Sequence, residues 1–188
     1  MRLILASASP RRLELLARIG VVPDVVVPAE IDETPRQSEL PVRYACRMAA
    51  EKAAAVAQAG ALTLAADTVV AAGRRILPKA ETEAEAAATL RLLSGRRHRV
   101  HSAVTLIDAG GTARQRLSTS TVTFKRLSGE ELADYVASEE WRGKAGAYAI
   151  QGRAEALIRQ MAGSYSGVVG LPLFETRALL CAAGYPLG

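Results

Sequence analysis

Four apolar residues, Leu3-Ile4-Leu5-Ala6, stand between a polar start and the run Ser7-Ala8-Ser9-Pro10-Arg11-Arg12. That break in pattern predicts a short buried strand opening directly into a helix. Leu13, Leu15, Leu16 and Ile19 give the helix its apolar side and Gly20 its stop. Val22 to Val27 reads as a second strand, and the loop from Pro28 to Ser38 carries Glu30, Asp32 and Glu33. An alanine-rich helix follows from Pro41 to Ala59, ended by Gly60. Leu62 to Ala66 reads as a buried strand closing on Asp67-Thr68, with Val69 to Ala72 continuing it to a turn at Gly73-Arg74-Arg75.

Thr82-Glu83-Ala84-Glu85 is a capping box, so a helix runs from there to Leu93 and stops at Ser94-Gly95. Val100 to Ile107 and Arg114 to Phe124 flank Asp108-Ala109-Gly110-Gly111, a strong hairpin signal. A second capping box, Ser128-Gly129-Glu130-Glu131, starts a helix reaching Ser138. Gly143 to Gly152, Ala156 to Met161 and Val168 to Leu173 read as strands between glycine-rich turns, and Phe174 to Ala183 as a last helix. Helices, a hairpin and strands in irregular alternation predict an α/β or mixed α+β fold on a mixed sheet, with active groups at strand ends and loops. No repeat, linker or low-complexity tract interrupts the 188 residues, which fit one domain or two lobes sharing a core.

Composition adds little to this pattern. Alanine supplies much of the 49% hydrophobic content and aromatics only 4%, so the mean hydropathy of +0.11 reflects alanine-rich helices. No apolar run approaches the ~20 residues of a membrane span. Arg11 and Arg12 interrupt any leader-like pattern, and a soluble, cytoplasmic protein is the expectation. Cys46 and Cys181 are far apart, lack metal-ligand spacing, and read as core thiols. A net charge of +5 suits anionic partners. Its arginines and lysines occur singly or in pairs, without the basic stripe and interleaved aromatics of a nucleic-acid surface.

The candidate chemistry begins at the first helix. Ser9 suits the N-cap and Pro10 the first helical position, so free backbone N–H groups point outward beside two guanidinium forks. Such an end attracts phosphate; the alternative is an ordinary helix start with solvated arginines. Asp67, ending an apolar strand, is a candidate base or metal ligand, the alternative being a carboxylate that caps the turn. Glu30, Asp32 and Glu33 offer oxygen ligands suited to Mg²⁺ or Mn²⁺, or are solvated loop charges. Lys52 and Lys79 are placed to reach a phosphate, or simply to sit in solvent. In Gly143 to Gly152 small residues allow a ligand close to the backbone, and Gln151 presents both a donor and an acceptor for a base edge. The alternative there is a glycine-containing bend with Tyr148 in the core. His98 and His101 read as structural.

Taken in order, Leu5-Ala6-Ser7-Ala8-Ser9-Pro10-Arg11-Arg12-Leu13-Glu14-Leu15-Leu16, Lys52, Ala66-Asp67-Thr68, Lys79, Leu93-Ser94-Gly95, Gly143 to Gly152, and Gly163-Ser164-Tyr165 through Val169-Gly170-Leu171-Pro172-Leu173 closely resemble the Maf family of nucleoside triphosphate pyrophosphatases. The resemblance spans nearly the whole chain. It implies a Maf/inosine-triphosphatase-like fold, an elongated mixed sheet flanked by helices in two lobes with a cleft between them. It also implies hydrolysis of a nucleoside triphosphate between its α- and β-phosphates with a divalent metal, and a homodimer.

By the same resemblance the proton acceptor falls on Asp67, and substrate contacts on Ser7, Arg11, Arg12, Lys52, Thr68, Lys79 and Gln151. Of these, Arg11, Thr68 and Gln151 bear on substrate choice. Asp67, Asp32 and Glu33 stand as metal ligands, for Mg²⁺ or Mn²⁺. The Lys-Ala-Gly-Ala-Tyr-x-Ile-Gln-Gly segment is similar to the branch acting on dTTP and UTP rather than the one for 7-methyl-GTP. Two departures from the family pattern are Leu77-Pro78-Lys79-Ala80, where Gly-Lys-Pro is common, and Gly167, where asparagine is common. The rival readings are a nucleotide- or nucleic-acid-binding protein without turnover, and a phosphatase releasing orthophosphate.

Overall fold

The first strand, β1 (Leu3–Ala6), is buried on both faces, as a strand inside a parallel sheet must be. In the computed structural model, which describes residues 1–187, it pairs in parallel with β2 (Val25–Val26) on one side and β3 (Leu62–Ala72) on the other. β5 (Arg97–Ile107) and β6 (Ala113–Phe124) form the long hairpin predicted around Asp108, whose Oδ1 accepts from the N–H groups of Gly110 and Thr112. With β7 (Ile158–Ala162) at the far edge, the order is β2-β1-β3-β5-β6-β7, and β4 (Arg75–Leu77) also pairs with β3. The fold is therefore α/β on a mixed seven-stranded sheet.

One consequence of this pairing places the functional groups. β5 runs along one edge of β3 from Thr63 to Ala71, so β1 and β4 share the opposite edge. There β1 covers Leu62 to Ala65 and β4 covers Val70 to Ala72. Among the described residues no strand pairs with Ala66 to Val69 on that side. The sheet opens at Asp67 and Thr68, the kind of divergence between strand ends where α/β folds bind ligands.

Side-chain alternation along β3 then sends its residues to two different layers. Leu62, Leu64, Ala66 and Val70 enter the larger core with Leu90 and Leu93 of α3 (Glu83–Leu93), Leu132 and Tyr135 of α4 (Gly129–Ala137), Trp141, and Leu179 and Leu180 of α6 (Leu173–Ala182). Ala65 and Val69 face α2 (Pro41–Val56), whose Ala45, Ala49 and Ala53 are buried. Asp67 shares this second parity and points toward α2. Thr68 points the other way.

Several boundaries differ from the sequence expectation. β2 is two residues long rather than Val22 to Val27, because Pro23 offers no N–H and Asp24 bonds the backbone of Leu3 through its own N–H and carboxylate. Extended backbone at Ala57 ends α2 at Val56, before Ala59. Gly143 to Gly152 is no strand: Gly143, Gly146 and Ala147 all have positive φ, and the segment makes turns with one isolated bridge, Ala145 to Lys79. Gly146 is required there, since a Cβ would lie 2.7 Å from Val70 Cγ1. Ala156 and Leu157 belong to a 3₁₀ segment (Arg153–Leu157) preceding β7. Val168-Val169 lies in α5 (Tyr165–Val169), capped by Ser164 Oγ on Gly167 N and ended by Gly170, so no strand runs from Val168 to Leu173. The thiols depart from expectation in part: Cys46 is half-buried against the cluster of Ala45, Ala49, Val69 and Ala103, and Cys181 is exposed rather than in the core. Among the described residues no helix is long and apolar enough to cross a membrane.

Candidate active site

The ends of β1 and β4 diverge around the opening in the sheet. β1 leads into Ser7 and α1 (Pro10–Ala17), and β4 leads into Pro78-Lys79. Between them lies a cavity of about 770 Å³ whose walls include Ser7, Arg11, Arg12, Lys52, Asp67, Thr68, Lys79 and Gln151, together with Glu33. All the substrate positions named from the sequence thus share one cavity. Asp32 does not: it is exposed, and its Oδ1 accepts from Thr34 N at 2.9 Å in a turn of the loop. Glu30 is exposed and likewise does not line the cavity.

Lys52 is the hub of the acidic side. Its Nζ lies 2.8 Å from Asp67 Oδ1 and 2.8 Å from Glu33 Oε1. Both Lys52 and Asp67 are buried, so the Asp67 carboxylate depends on Lys52, whereas Lys52 has a second counter-ion in Glu33. Burial by itself would raise the Glu33 carboxyl; the Lys52 hydrogen bond and the charges of Lys52, Lys79 and Arg12 outweigh it and hold the group below its ordinary value. Glu33 therefore senses cations from three elements across the cavity.

On the opposite wall Ser9 occupies the N-cap of α1 with no side-chain hydrogen bond to the helix, leaving the first turn open. Ser7 Oγ accepts from Ser9 N and from Arg12 Nη1, each at 3.1 Å. Arg12 also donates through Nε to the Gly170 carbonyl at 3.0 Å, and Thr68 Oγ1 reaches the same carbonyl at 3.3 Å. Ser102 Oγ, opposite Thr68 in the β3–β5 register, lies 3.0 Å from the Thr68 hydroxyl and donates to Gly167 O. Arg12 is accordingly locked to the scaffold by part of its fork, whereas half-buried Arg11 makes no such bond among the described residues. Burial lowers both guanidinium groups, Glu14 opposing the effect at Arg11 and Asp67 at Arg12.

The Gly143 to Gly152 turns form the third wall. Gln151 is exposed at its end, while Tyr148 is buried and its hydroxyl lies 2.8 Å from His98 Nε2. Tyr135 Oη accepts from Ala149 N at 3.0 Å, which fixes the backbone two residues before Gln151. The bland reading of Tyr148 as core and the functional reading of Gln151 are therefore compatible. Lys144 lines the same wall; burial lowers its ammonium first and the charges of Arg11 and Lys79 lower it further.

His98 is structural, as expected, and carries a pH signature. Burial lowers its imidazole from 6.5 to about 4. Between those values the unfolded chain binds a proton that the folded chain refuses, so stability is complete above pH 6.5 and falls as pH falls, by about 3 kcal/mol in all. Melting curves from pH 7 to pH 4 should show a shallower loss in His98→Gln than in the unaltered protein; parallel slopes would contradict this.

Tyr44, Lys144 and Gly170 also belong to the cavity; Lys144 and Gly170 stood in motifs quoted from the sequence without a role of their own, and Tyr44 was not singled out. The only signal for Tyr44 was a tyrosine in the first turn of an alanine-rich helix.

Residues 2–183 match the family described as Maf-like protein. A dTTP/UTP pyrophosphatase from Zymomonas mobilis is 62% identical over 187 residues, covering 98% of this chain and 93% of that protein. Proteins of the same name from Rhodospirillum rubrum and Caulobacter vibrioides are each 59% identical, covering 99% and 97% of this chain and 90% and 96% of theirs. Among solved structures, a nucleoside-triphosphatase / dITP/XTP pyrophosphatase from Mycobacterium abscessus aligns with a TM-score of 0.45 at 21% identity, over 68% of this chain and 76% of that one.

Proposed function

This chain belongs to the Maf family, and from that premise we propose that it is a pyrophosphatase of dTTP and UTP, and of modified pyrimidine nucleotides. It cuts the bond between the α- and β-phosphates to leave the nucleoside monophosphate and pyrophosphate. The observation that carries this reading is the meeting of Asp67, Lys52 and Glu33 across one cavity from the open helix end at Ser9. The chain acts as one domain, with the cleft between two lobes.

The residues divide the work by charge. The first turn of α1, Arg11, Lys79 and Lys144 receive the phosphates, where fixed donors and cations stabilise charge developing on the leaving pyrophosphate. Arg12, anchored on Gly170 and Ser7, is a rigid donor rather than a mobile clamp. Asp67 Oδ1 is held by Lys52, and among the described residues Oδ2 makes no hydrogen bond, so it can accept the proton of the attacking water.

A divalent metal fits this donor set in a restricted way. Among the described residues no three carboxylates, histidines or cysteines converge, but Mg²⁺ is commonly held by one or two carboxylates together with substrate phosphates. Asp67 and Glu33 would hold it, and the ion would supply neutralisation of phosphate charge. Asp32 drops out of this proposal, because its carboxylate serves the loop turn.

Gln151 supports base selection. Gln151→Ala is expected to narrow the preference for dTTP and UTP over other nucleotides about tenfold, with little loss of phosphate binding, as for one hydrogen-bonding side chain facing a base edge. Relative kcat/KM values measure this, and an equal loss for every nucleotide would contradict it. The reading as a whole is tested by incubating the protein with Mg²⁺ or Mn²⁺ and dTTP, UTP, CTP, ITP, ATP or 7-methyl-GTP. Turnover greatest for dTTP and UTP and abolished by chelator is expected. Binding without turnover would favour a non-catalytic nucleotide-binding protein.

A further inference from the structure

Between β2 and α2 the chain runs from Val27 to Leu40 without helix or strand. A stretch of that length without regular structure is uncommon in a compact fold unless it is functional or loose, yet this one delivers Glu33 to Lys52 at 2.8 Å. Something must hold it. Tyr44 Oη donates to the Glu33 carbonyl at 2.7 Å, and Arg47 Nη2 donates to the Thr34 carbonyl at 3.2 Å. Arg47 also grips Glu39 with Nε and Nη2, at 2.8 and 2.7 Å, and reaches Glu51 with Nη1 at 3.2 Å. Asp32 closes the turn on Thr34 N. The backbone is thus pinned at two successive carbonyls, those of Glu33 and Thr34, directly C-terminal to Glu33 Cα.

The fastenings come from a single helix. Tyr44 and Arg47 are three residues apart on α2 and so share a face, with the guanidinium 5.5 Å from the tyrosine ring centroid. Tyr44 and Lys52, eight residues apart, both line the cavity from this helix. One rigid element therefore sets both the position of the loop and the cation that the loop's carboxylate meets. The Arg47–Glu39 pair is bidentate and its side chains are only 14% and 8% exposed, unlike the loose surface pairs that contribute little. Burial, with the charges of Asp67 and Glu33, raises the Tyr44 phenol to about 12, so it remains a donor throughout the neutral range.

We propose that Tyr44 and Arg47 are positioning residues for the reaction, strapping the acidic loop to α2 so that the Glu33 carboxylate is held beside Lys52 and Asp67. The proposal rests on the pyrophosphatase reading above, in which Glu33 is a working group.

A double-mutant cycle tests it on the full chain with Mg²⁺ and dTTP. Tyr44→Phe keeps the ring and loses one hydrogen bond, and should lower kcat about five- to tenfold with KM changed less than twofold. Added to Glu33→Gln it should cost nothing further, because the strap acts through Glu33. Amide hydrogen exchange should rise in residues 30–36 of Tyr44→Phe while α2 and β3 exchange as before. Arg47→Lys, which keeps the charge and loses the fork, should repeat both results and serves if Tyr44→Phe folds poorly. An unchanged kcat, losses that multiply in the double variant, or unaltered exchange in the loop would overturn the proposal alone. Absence of turnover in the unaltered protein would overturn the pyrophosphatase reading and this proposal together.

Discussion

Replacing Asp67 with asparagine removes nearly all turnover, roughly 10²- to 10⁴-fold in kcat, while the protein still folds. The substitution is isosteric, and the amide oxygen can still accept from Lys52 Nζ, now 2.8 Å from Asp67 Oδ1. Lys52 also keeps its bond to Glu33, so no charge is stranded and the stability loss stays within about 1.5 kcal/mol. What disappears is the carboxylate at the sheet opening, the group able to take a proton from water or to hold a divalent ion. Rates with dTTP and a thermal melt measure both halves of this expectation. Turnover within a few-fold of the unaltered protein would remove Asp67 from the chemistry.

Lys52→Met reverses the balance between stability and chemistry. The ammonium is buried and bonds two carboxylates at once, so its removal leaves Asp67 and Glu33 facing each other with only the unbonded charges of Arg12 and Lys79 nearby. Breaking one side of a buried pair costs about 3 kcal/mol, and for a domain of this size that lowers Tm by about 6–12 °C. Activity falls as well, by roughly 10²- to 10³-fold, since Asp67 loses the ammonium that holds its Oδ1 in place. Adding Asp67→Asn to Lys52→Met should restore part of the Tm, because one of the two opposed charges is then gone. A Lys52→Met protein as stable as the original would contradict the buried-pair account. Asp67→Asn melting lower than Lys52→Met would do the same.

The contrast between these two residues also marks what could be read from sequence. Asp67 was visible because an apolar run ends at a carboxylate, although β3 runs on through it to Ala72 and its face is set by the pairing of that longer strand. Lys52 was visible as a helix lysine able to reach a phosphate and, by resemblance, as a substrate contact; that it bonds Asp67 depends on α2 lying across β3, a contact made by Ala45, Ala49 and Ala53 that composition does not specify. Asp32 and Glu33 are adjacent acids in one loop, and nothing in their own chemistry says which turns inward. Tyr44 and Arg47 decide it, through backbone carbonyls that no side-chain pattern records. The helices begun by Thr82 and Ser128 were legible because their capping boxes are local, and both form with reciprocal bonds. The sheet opening was not legible, because it requires β1 and a three-residue β4 to share one edge of β3. Val168-Val169 failed for a related reason: a short apolar run suits a strand or a helix equally, and the Ser164 cap selects the helix.

The central claim concerns which bond is cut, and the products of dTTP report it directly. With the purified protein and Mg²⁺, resolving the phosphorus-containing products by chromatography or ³¹P NMR should show dTMP and pyrophosphate appearing together in equal amounts from the first time point. Appearance of dTDP and orthophosphate instead would mean cleavage at the terminal phosphate, and would contradict the account.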